Sequence, residues 1–239
     1  KKNNFYSGFK LQKRYDLLLA NAYNVAKFVY NQKNLVKNIG YIIQDLEYLF
    51  IKNDKTLVNF IKSTYKKEYK YYCLSNFLFN KFTKMFPQNY VKKSILGFDQ
   101  NIYYDKNEKR ENSILFAYYP NKFWRLPKFV NKLIKLLSNK YKCYVYPYRI
   151  KIKSKNIINC GFMTTKELND LYNRFKIGVV FSISNPSRIA YEMKASGLDV
   201  IEYKCIYTSF DFDDSFNLID KNIKNNQILK LIENLMNKN

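Results

Sequence analysis

Short apolar runs alternate with amphipathic segments in two series along this chain, and that alternation restricts its fold more than any other feature. In the first series the predicted strands are Tyr15–Ala20, Ile39–Gln44, Tyr69–Leu74 and Lys92–Leu96. The predicted helices between them are Ala22–Asn31, Lys55–Lys66 and Asn76–Met85. Leu57, Phe60, Ile61 and Thr64 recur at the three- and four-residue spacing of one helix face. The second series starts at Ser113. Its predicted strands are Ile114–Tyr118, Cys143–Tyr146, Asn156–Cys160, Ile177–Phe181 and Asp199–Tyr203, and its helices are Leu126–Ser138, Lys166–Phe175, Ser187–Ser196 and Asn226–Met236. Repeated βα units argue for an α/β fold with parallel sheets. The polar segment Asp99–Asn112 has no apolar period and reads as a linker, which gives a first Rossmann-like domain over 1–98 and a second over 113–239. The first series opens without the glycine-rich loop of a nucleotide-type βαβ unit, so the first domain is expected to be minimal or incomplete.

Composition excludes several classes of chemistry. The chain of 239 residues contains no histidine, which removes Ser-His-Asp and Cys-His nucleophiles and His-ligated metals. Acid or base work falls to carboxylates, Tyr or Lys. Cys73, Cys143 and Cys205 lie in apolar segments that read as strands, and Cys160 ends another; none forms a CxxC pair, so buried free thiols in a reducing compartment are expected. The residues Lys1 to Lys10 lack an apolar signal-peptide core, and no apolar run approaches the ~20 residues of a membrane-spanning helix. The formal net charge of +23 fits a polyanionic partner or an anionic membrane face. The lysines are scattered, however, and the richness in Lys, Asn, Ile, Tyr and Phe has a coding-bias explanation.

The segment Phe181–Val200 carries the most chemical information. Asn185 is expected to cap a helix with Pro186 at its first position, and Gly197 to end it in a left-handed conformation. A helix N-terminus would then sit at the carboxyl end of a parallel strand, where open α/β sheets bind ligands and where free amides suit phosphate. Arg188 in the first turn is a cation where the helix dipole prefers an anion. Glu192 follows four residues later on the same face. A diphosphate near Arg188 and a ribose near Glu192 would use both; on spacing alone, a surface i,i+4 ion pair worth ~0.3–0.5 kcal/mol accounts for them more simply.

The block Pro186, Ser187, Arg188, Ile189, Tyr191, Glu192, Met193, Ala195, Gly197 resembles the donor-binding motif of glycosyltransferase family 4, of the GT-B fold, and most of all its bacterial S-layer and polysaccharide rhamnosyltransferases. Tyr41–Phe50, with its Q-D-L-E, Gly97-Phe98-Asp99, and Cys160-Gly161-Phe162 followed by Glu167-Leu168 and Leu171-Tyr172 resemble further family segments in the same order. The resemblance covers roughly residues 15–205 and implies two Rossmann-type domains facing a cleft. It implies transfer of a hexosyl or deoxyhexosyl unit, rhamnosyl among them, from a nucleoside diphosphate sugar to a glycan or lipid-linked glycan, with no metal or other cofactor; the free thiols and the positive charge add the expectation of a cytoplasmic location, at the inner membrane face. By position Glu192 would hold the ribose, Ser187, Arg188 and their amides the diphosphate, and Gly161 and Phe162 the base. Ser184 and Asn185 complete the donor loop, and Lys122 and Arg125 are the candidate basic residues after the second domain's first strand. Two departures stand out. Ser184 occupies the position of the family's first donor-loop glutamate, and Tyr119 a position where the rhamnosyl branch often has arginine.

Asp45 and Glu47 follow a predicted strand at its carboxyl end, and either could serve as acceptor base; a capping or surface pair is the plainer account. Asp211-Phe212-Asp213-Asp214 contains a D-x-D but lies after the last clear strand, as a solvated loop would. Aromatic and basic residues adjoin at Tyr103-Tyr104, Tyr118-Tyr119 and Phe123-Trp124. With 23 tyrosines such adjacency is expected by chance, and no nucleic-acid-binding signature accompanies it. Nucleic acid is therefore not an expected partner. A fold-retaining module that binds nucleotide or glycan without catalysis is the alternative to the enzyme, and a basic nucleic-acid-binding domain is a further one.

Overall fold

The computed structural model describes residues 11, 14–51, 53–94 and 96–238. The segment Lys1–Lys10, read above for a signal peptide, lies outside them, as does Ile95 within the predicted strand Lys92–Leu96. The chain divides into two compact units, Lys1–Ile95 and Leu96–Asn239.

In the first unit β1 (Leu17–Ala20), β2 (Asn38–Ile43), β3 (Lys70–Cys73) and β4 (Val91–Lys93) form a parallel sheet in sequence order. The connections carry α1 (Tyr23–Asn31), α2 (Lys55–Ser63) and α3 (Asn76–Met85). Asp54 and Ser75 start α2 and α3 by accepting the amides of Leu57 and Leu78. Tyr41, Tyr69, Tyr71, Ile61, Leu78 and Phe82 fill the core. Buried tyrosines need a partner for each hydroxyl; Tyr71 donates to the Lys66 carbonyl at 2.8 Å and Tyr69 to that of Ala26.

The second unit contains β5 (Glu111–Tyr118), α4 (Pro127–Leu137), β6 (Cys143–Pro147), β7 (Ile157–Asn159), α5 (Thr165–Arg174), β8 (Phe175–Val179), α6 (Arg188–Ala195), β9 (Asp199–Tyr203), β10 (Asn217–Ile219) and α7 (Asn225–Met236). The six strands are parallel and ordered β10-β9-β8-β5-β6-β7. Alternate residues of β5 serve the two faces: Ile114 and Phe116 pack with Val130, Leu133 and Ile232, whereas Leu115 and Ala117 pack with Tyr172, Ala190 and Met193. Both faces are covered, which is why the strands read as apolar runs. The chain leaves β5 toward β6 on one side and returns to β8 on the other. This is the doubly wound order whose ligands sit at the carboxyl ends of the two strands flanking the reversal.

The structure differs from the sequence-based expectation in several details. The segment 99–112 belongs to the second unit. Asn173 accepts the Lys106 amide at 2.8 Å, Tyr103 stacks on Tyr172 at 5.9 Å, and Arg110 bonds the carbonyls of Tyr172, Phe175 and Ser196. β5 begins inside that segment, at Glu111. Cys205 lies beyond β9 rather than in a strand. The acidic run 211–214 is followed by a further strand, β10, and is held down by Phe212 and Phe216, both nearly buried.

Candidate functional site

Two loops meet where the strand order reverses. The loop after β5 runs through Tyr119, Lys122 and Arg125; the loop after β8 runs through Ser182, Ser184 and Ser187. The Ile183 amide donates to the Trp124 carbonyl at 3.0 Å. Arg125 Nη1 donates to Ser187 Oγ at 2.6 Å and reaches the Phe181 carbonyl at 3.4 Å. Leu126, next to Arg125, has φ 49° and ψ 50°, a left-handed conformation that strains a bulky residue by roughly 1–3 kcal/mol. That backbone turn places Arg125 two residues ahead of α4, directed at the opposite loop.

The helix start is shifted from its expected position. Ser187, not Asn185, is the N-cap of α6, and Arg188, not Pro186, is its first residue. Ser187 has extended backbone and accepts the Ala190 amide on its carbonyl. Its hydroxyl makes no capping bond and accepts instead from Arg125. Gly197 ends the helix at φ +86°, with Leu198 and Gly197 donating to Met193 and Lys194.

Arg188 and Glu192 form the i,i+4 ion pair at 3.1 Å, but unequally: the Arg188 side chain is 66% exposed and that of Glu192 8%. Burial raises the Glu192 pKa, and Arg188 pulls it back. The field of Glu192 acts on Tyr103, Tyr119, Tyr146 and Tyr172, which places the carboxylate in a tyrosine-rich recess rather than in bulk water.

Lys122 stands 4.8 Å from the Tyr119 ring centre and Arg125 5.8 Å. From Tyr119 an aromatic row continues to Tyr148 at 5.8 Å and on to Phe162 at 4.9 Å. Phe162 is 73% exposed, and Gly161 before it has φ +81°. The residues Lys122, Arg125, Ser187, Arg188 and Glu192, spread over 71 positions from the first to the last (192 − 122 + 1), are thus assembled at one edge of one sheet, with Gly161 and Phe162 at the end of the aromatic row.

Two residues of this edge escaped the sequence reading. Tyr148 links Phe162 to Tyr119; nothing in its local pattern marks it. Glu202 is fully buried in β9, and burial pushes its carboxyl up to about 8, opposed by the Tyr203 and Ser182 amides and by Arg125. A carboxylate within a strand that should be apolar throughout was the available signal.

Asp45 and Glu47 lie in the first unit, after β2. They line a cavity of about 240 Å³ together with Asn21, Tyr23, Tyr41, Gln44 and Phe50. Glu47 Oε2 accepts the Tyr23 amide at 2.9 Å and the Tyr41 hydroxyl at 3.0 Å. It caps α1, where Ala22 has no side-chain acceptor to offer. Burial raises the Glu47 pKa. Among the described residues no cluster of acids and cysteines could hold a metal ion, and no helix is long and apolar enough to cross a membrane.

No family model and no curated protein matches the sequence. Solved structures do. The chain is similar to TarM, with a TM-score of 0.71 at 13% identity over 92% of this chain and 48% of that one. It is similar to a mutant of S. aureus TarM in complex with fondaparinux, alpha-GlcNAc-glycerol and UDP, with a TM-score of 0.72 at 14% identity over 93% and 48%. The pneumococcal O-GlcNAc transferase GtfA, in complex with UDP and GlcNAc, gives a TM-score of 0.65 at 12% identity over 92% and 49%. The fold is therefore that of GT-B glycosyltransferases, and the chain spans about half the length of the solved chains it matches.

Proposed function

We propose that this chain is the nucleotide-sugar-binding part of a glycosyltransferase that moves a hexosyl or deoxyhexosyl unit to a glycan acceptor. The observation that carries the reading is the junction of the β5 and β8 loops at the strand-order reversal, where Arg125, Ser187, Arg188 and Glu192 converge. A diphosphate there meets Arg125, Lys122, Arg188 and the first amides of α6, and these groups stabilise charge on the leaving diphosphate as its bond to the anomeric carbon breaks and the acceptor hydroxyl oxygen, giving up its proton, bonds that carbon. No metal is required for that role. Glu192, recessed behind Arg188, holds the ribose hydroxyls, and Phe162 with Gly161 borders the base.

UDP in the complexes of TarM and GtfA supports a uridine donor for this chain, and GlcNAc in them supports a hexosyl unit over the rhamnosyl unit of the family 4 resemblance. A glycan or lipid-linked glycan acceptor and a cytoplasmic, membrane-adjacent location belong to the same reading. On the acceptor side Asp45 and Glu47, both at the carboxyl end of β2, are the carboxylates assigned to the acceptor hydroxyl. Binding without transfer is the second reading; Ser184, a hydroxyl where the family's donor loop has a carboxylate, favours it. Calorimetric titration of UDP and UDP-GlcNAc, followed by a donor-hydrolysis assay, tests both. No binding of either ligand overturns the proposal; binding without turnover selects the second reading.

A further inference from the structure

Beneath the β8 loop lies a carboxylate that neither the motif nor the ion pairs account for. Glu202 has no exposed surface. Its Oε1 accepts the Ser182 amide at 2.8 Å and the Tyr203 amide at 2.7 Å. Among the described residues its Oε2 is enclosed without a hydrogen-bond partner, and so are Arg125 Nε, Ser182 Oγ and Ser184 Oγ. Arg125 and Glu202 act on each other electrostatically, yet no direct ion pair joins them among the described residues. The Cys205 thiol completes the surroundings by donating to the Ser182 carbonyl at 3.9 Å, and the Tyr191 hydroxyl feels the same carboxylate from α6.

Enclosing a carboxyl group in this way is expensive. A buried polar atom without a hydrogen-bond partner is unfavourable, and an apolar residue of similar size would be easier to fold around. A strand needs no acid to pair with its neighbours. What Glu202 supplies, and an apolar residue cannot, is an acceptor for the Ser182 amide, three residues beyond the end of β8.

We propose that Glu202 is a positioning residue of the diphosphate-facing loop: from inside the sheet it fixes the loop backbone at Ser182 and holds Arg125 in register with Ser187. The inference rests on the reading of that loop as a diphosphate site. It assigns to β9 a part in ligand binding although β9 offers no side chain to the ligand from this position. The loop carries Ser182, Ser184, Asn185 and Ser187 but no carboxyl group, and the acceptor that holds the Ser182 amide comes from the neighbouring strand.

The test is calorimetric titration of UDP into the full 239-residue chain and its Glu202 variants, with melting midpoints measured in parallel. Glu202→Ala is expected to weaken UDP binding at least tenfold, and Glu202→Gln, which keeps an oxygen for both amides, to restore it to within about threefold of wild type. If Glu202→Ala does not fold, Glu202→Asp withdraws the acceptor by one methylene and carries the same tenfold expectation. A purely structural Glu202 would lower the melting midpoint and leave UDP affinity unchanged in the folded variant, which overturns the inference alone. A wild-type chain that does not bind UDP overturns the diphosphate reading and this inference with it.

Discussion

Arg125 Nη1 and Ser187 Oγ stand 2.6 Å apart and tie the loop after β5 to the N-cap of α6 across the reversal of strand order. The N-cap hydroxyl thus faces the opposite loop, and it makes no capping bond to the first turn of α6. Replacing Arg125 by Ala leaves Ser187 and the Phe181 carbonyl without the guanidinium. Truncation of one buried partner costs about 1–3 kcal/mol. The expected result is a modest fall in stability by denaturant titration and at least a tenfold loss of UDP affinity; Lys at this position, unable to reproduce the fork, recovers only part of it.

Glu202 makes stability depend on pH in a stated direction. Its pKa in the folded chain is about 8, against an ordinary value of 4.5. The folded state thus prefers the protonated form. Its contribution is fully present below the ordinary value and is lost as pH rises through about 8. The melting midpoint of the wild type relative to Glu202→Gln should therefore fall between pH 5 and pH 8.5. Parallel pH profiles for the two proteins contradict this assignment.

Gly197 serves two requirements at once. Its φ of +86° is a left-handed conformation, and a β-carbon there would collide with the Asp105 carboxylate and the Arg110 guanidinium. Gly197→Ala should destabilise the second unit by more than the ~1 kcal/mol of the backbone conformation alone, because the Asp105–Arg110 pair at 2.7 Å must also move. Chemical denaturation of the variant measures the loss, and a change below ~0.5 kcal/mol contradicts the account.

Phe162 separates binding from folding. It is 73% exposed and touches Tyr148 edge-on at 4.9 Å. Removal of so exposed a ring should change stability by no more than ~0.5 kcal/mol. If it borders the base, Phe162→Ala lowers affinity for UDP several-fold and leaves affinity for inorganic diphosphate unchanged. Equal losses for both ligands, or none for either, remove Phe162 from the base site.

Glu47 holds α1 through the Tyr23 amide and also binds the Tyr41 hydroxyl. Glu47→Ala should cost roughly 1 kcal/mol or more, as other lost N-caps do. The measurement is the denaturation midpoint of the first unit.

Much of the secondary structure was legible because burial on both faces of a parallel sheet, or on one face of a helix, imposes its own period. The helix over Asn76–Met85 and the strand Asp199–Tyr203 coincide with the expected bounds. Gly197 was legible for the same local reason: few residues other than glycine end a helix at positive φ. The segment 99–112 was not legible. It is polar, and it is held by the side chains of Asn169, Asn173 and Arg110 acting on backbone groups, which leave no apolar period. The helix start was misplaced by two residues because Asn185-Pro186 is a good local cap, while the competing claim on Ser187 comes from a residue 62 positions earlier.

What the sequence determined by itself was local: the alternation of elements, their parallel pairing, the missing histidine and the motif Pro186–Gly197. Each follows from backbone geometry and side-chain chemistry within a few residues. The tertiary structure alone decided which loops share an edge, that Arg125 reaches Ser187, that Glu192 is recessed while Arg188 is exposed, and that Glu202 lies beneath the loop. Those relations depend on strand order and on desolvation, which are sums over distant residues and leave no local pattern to read.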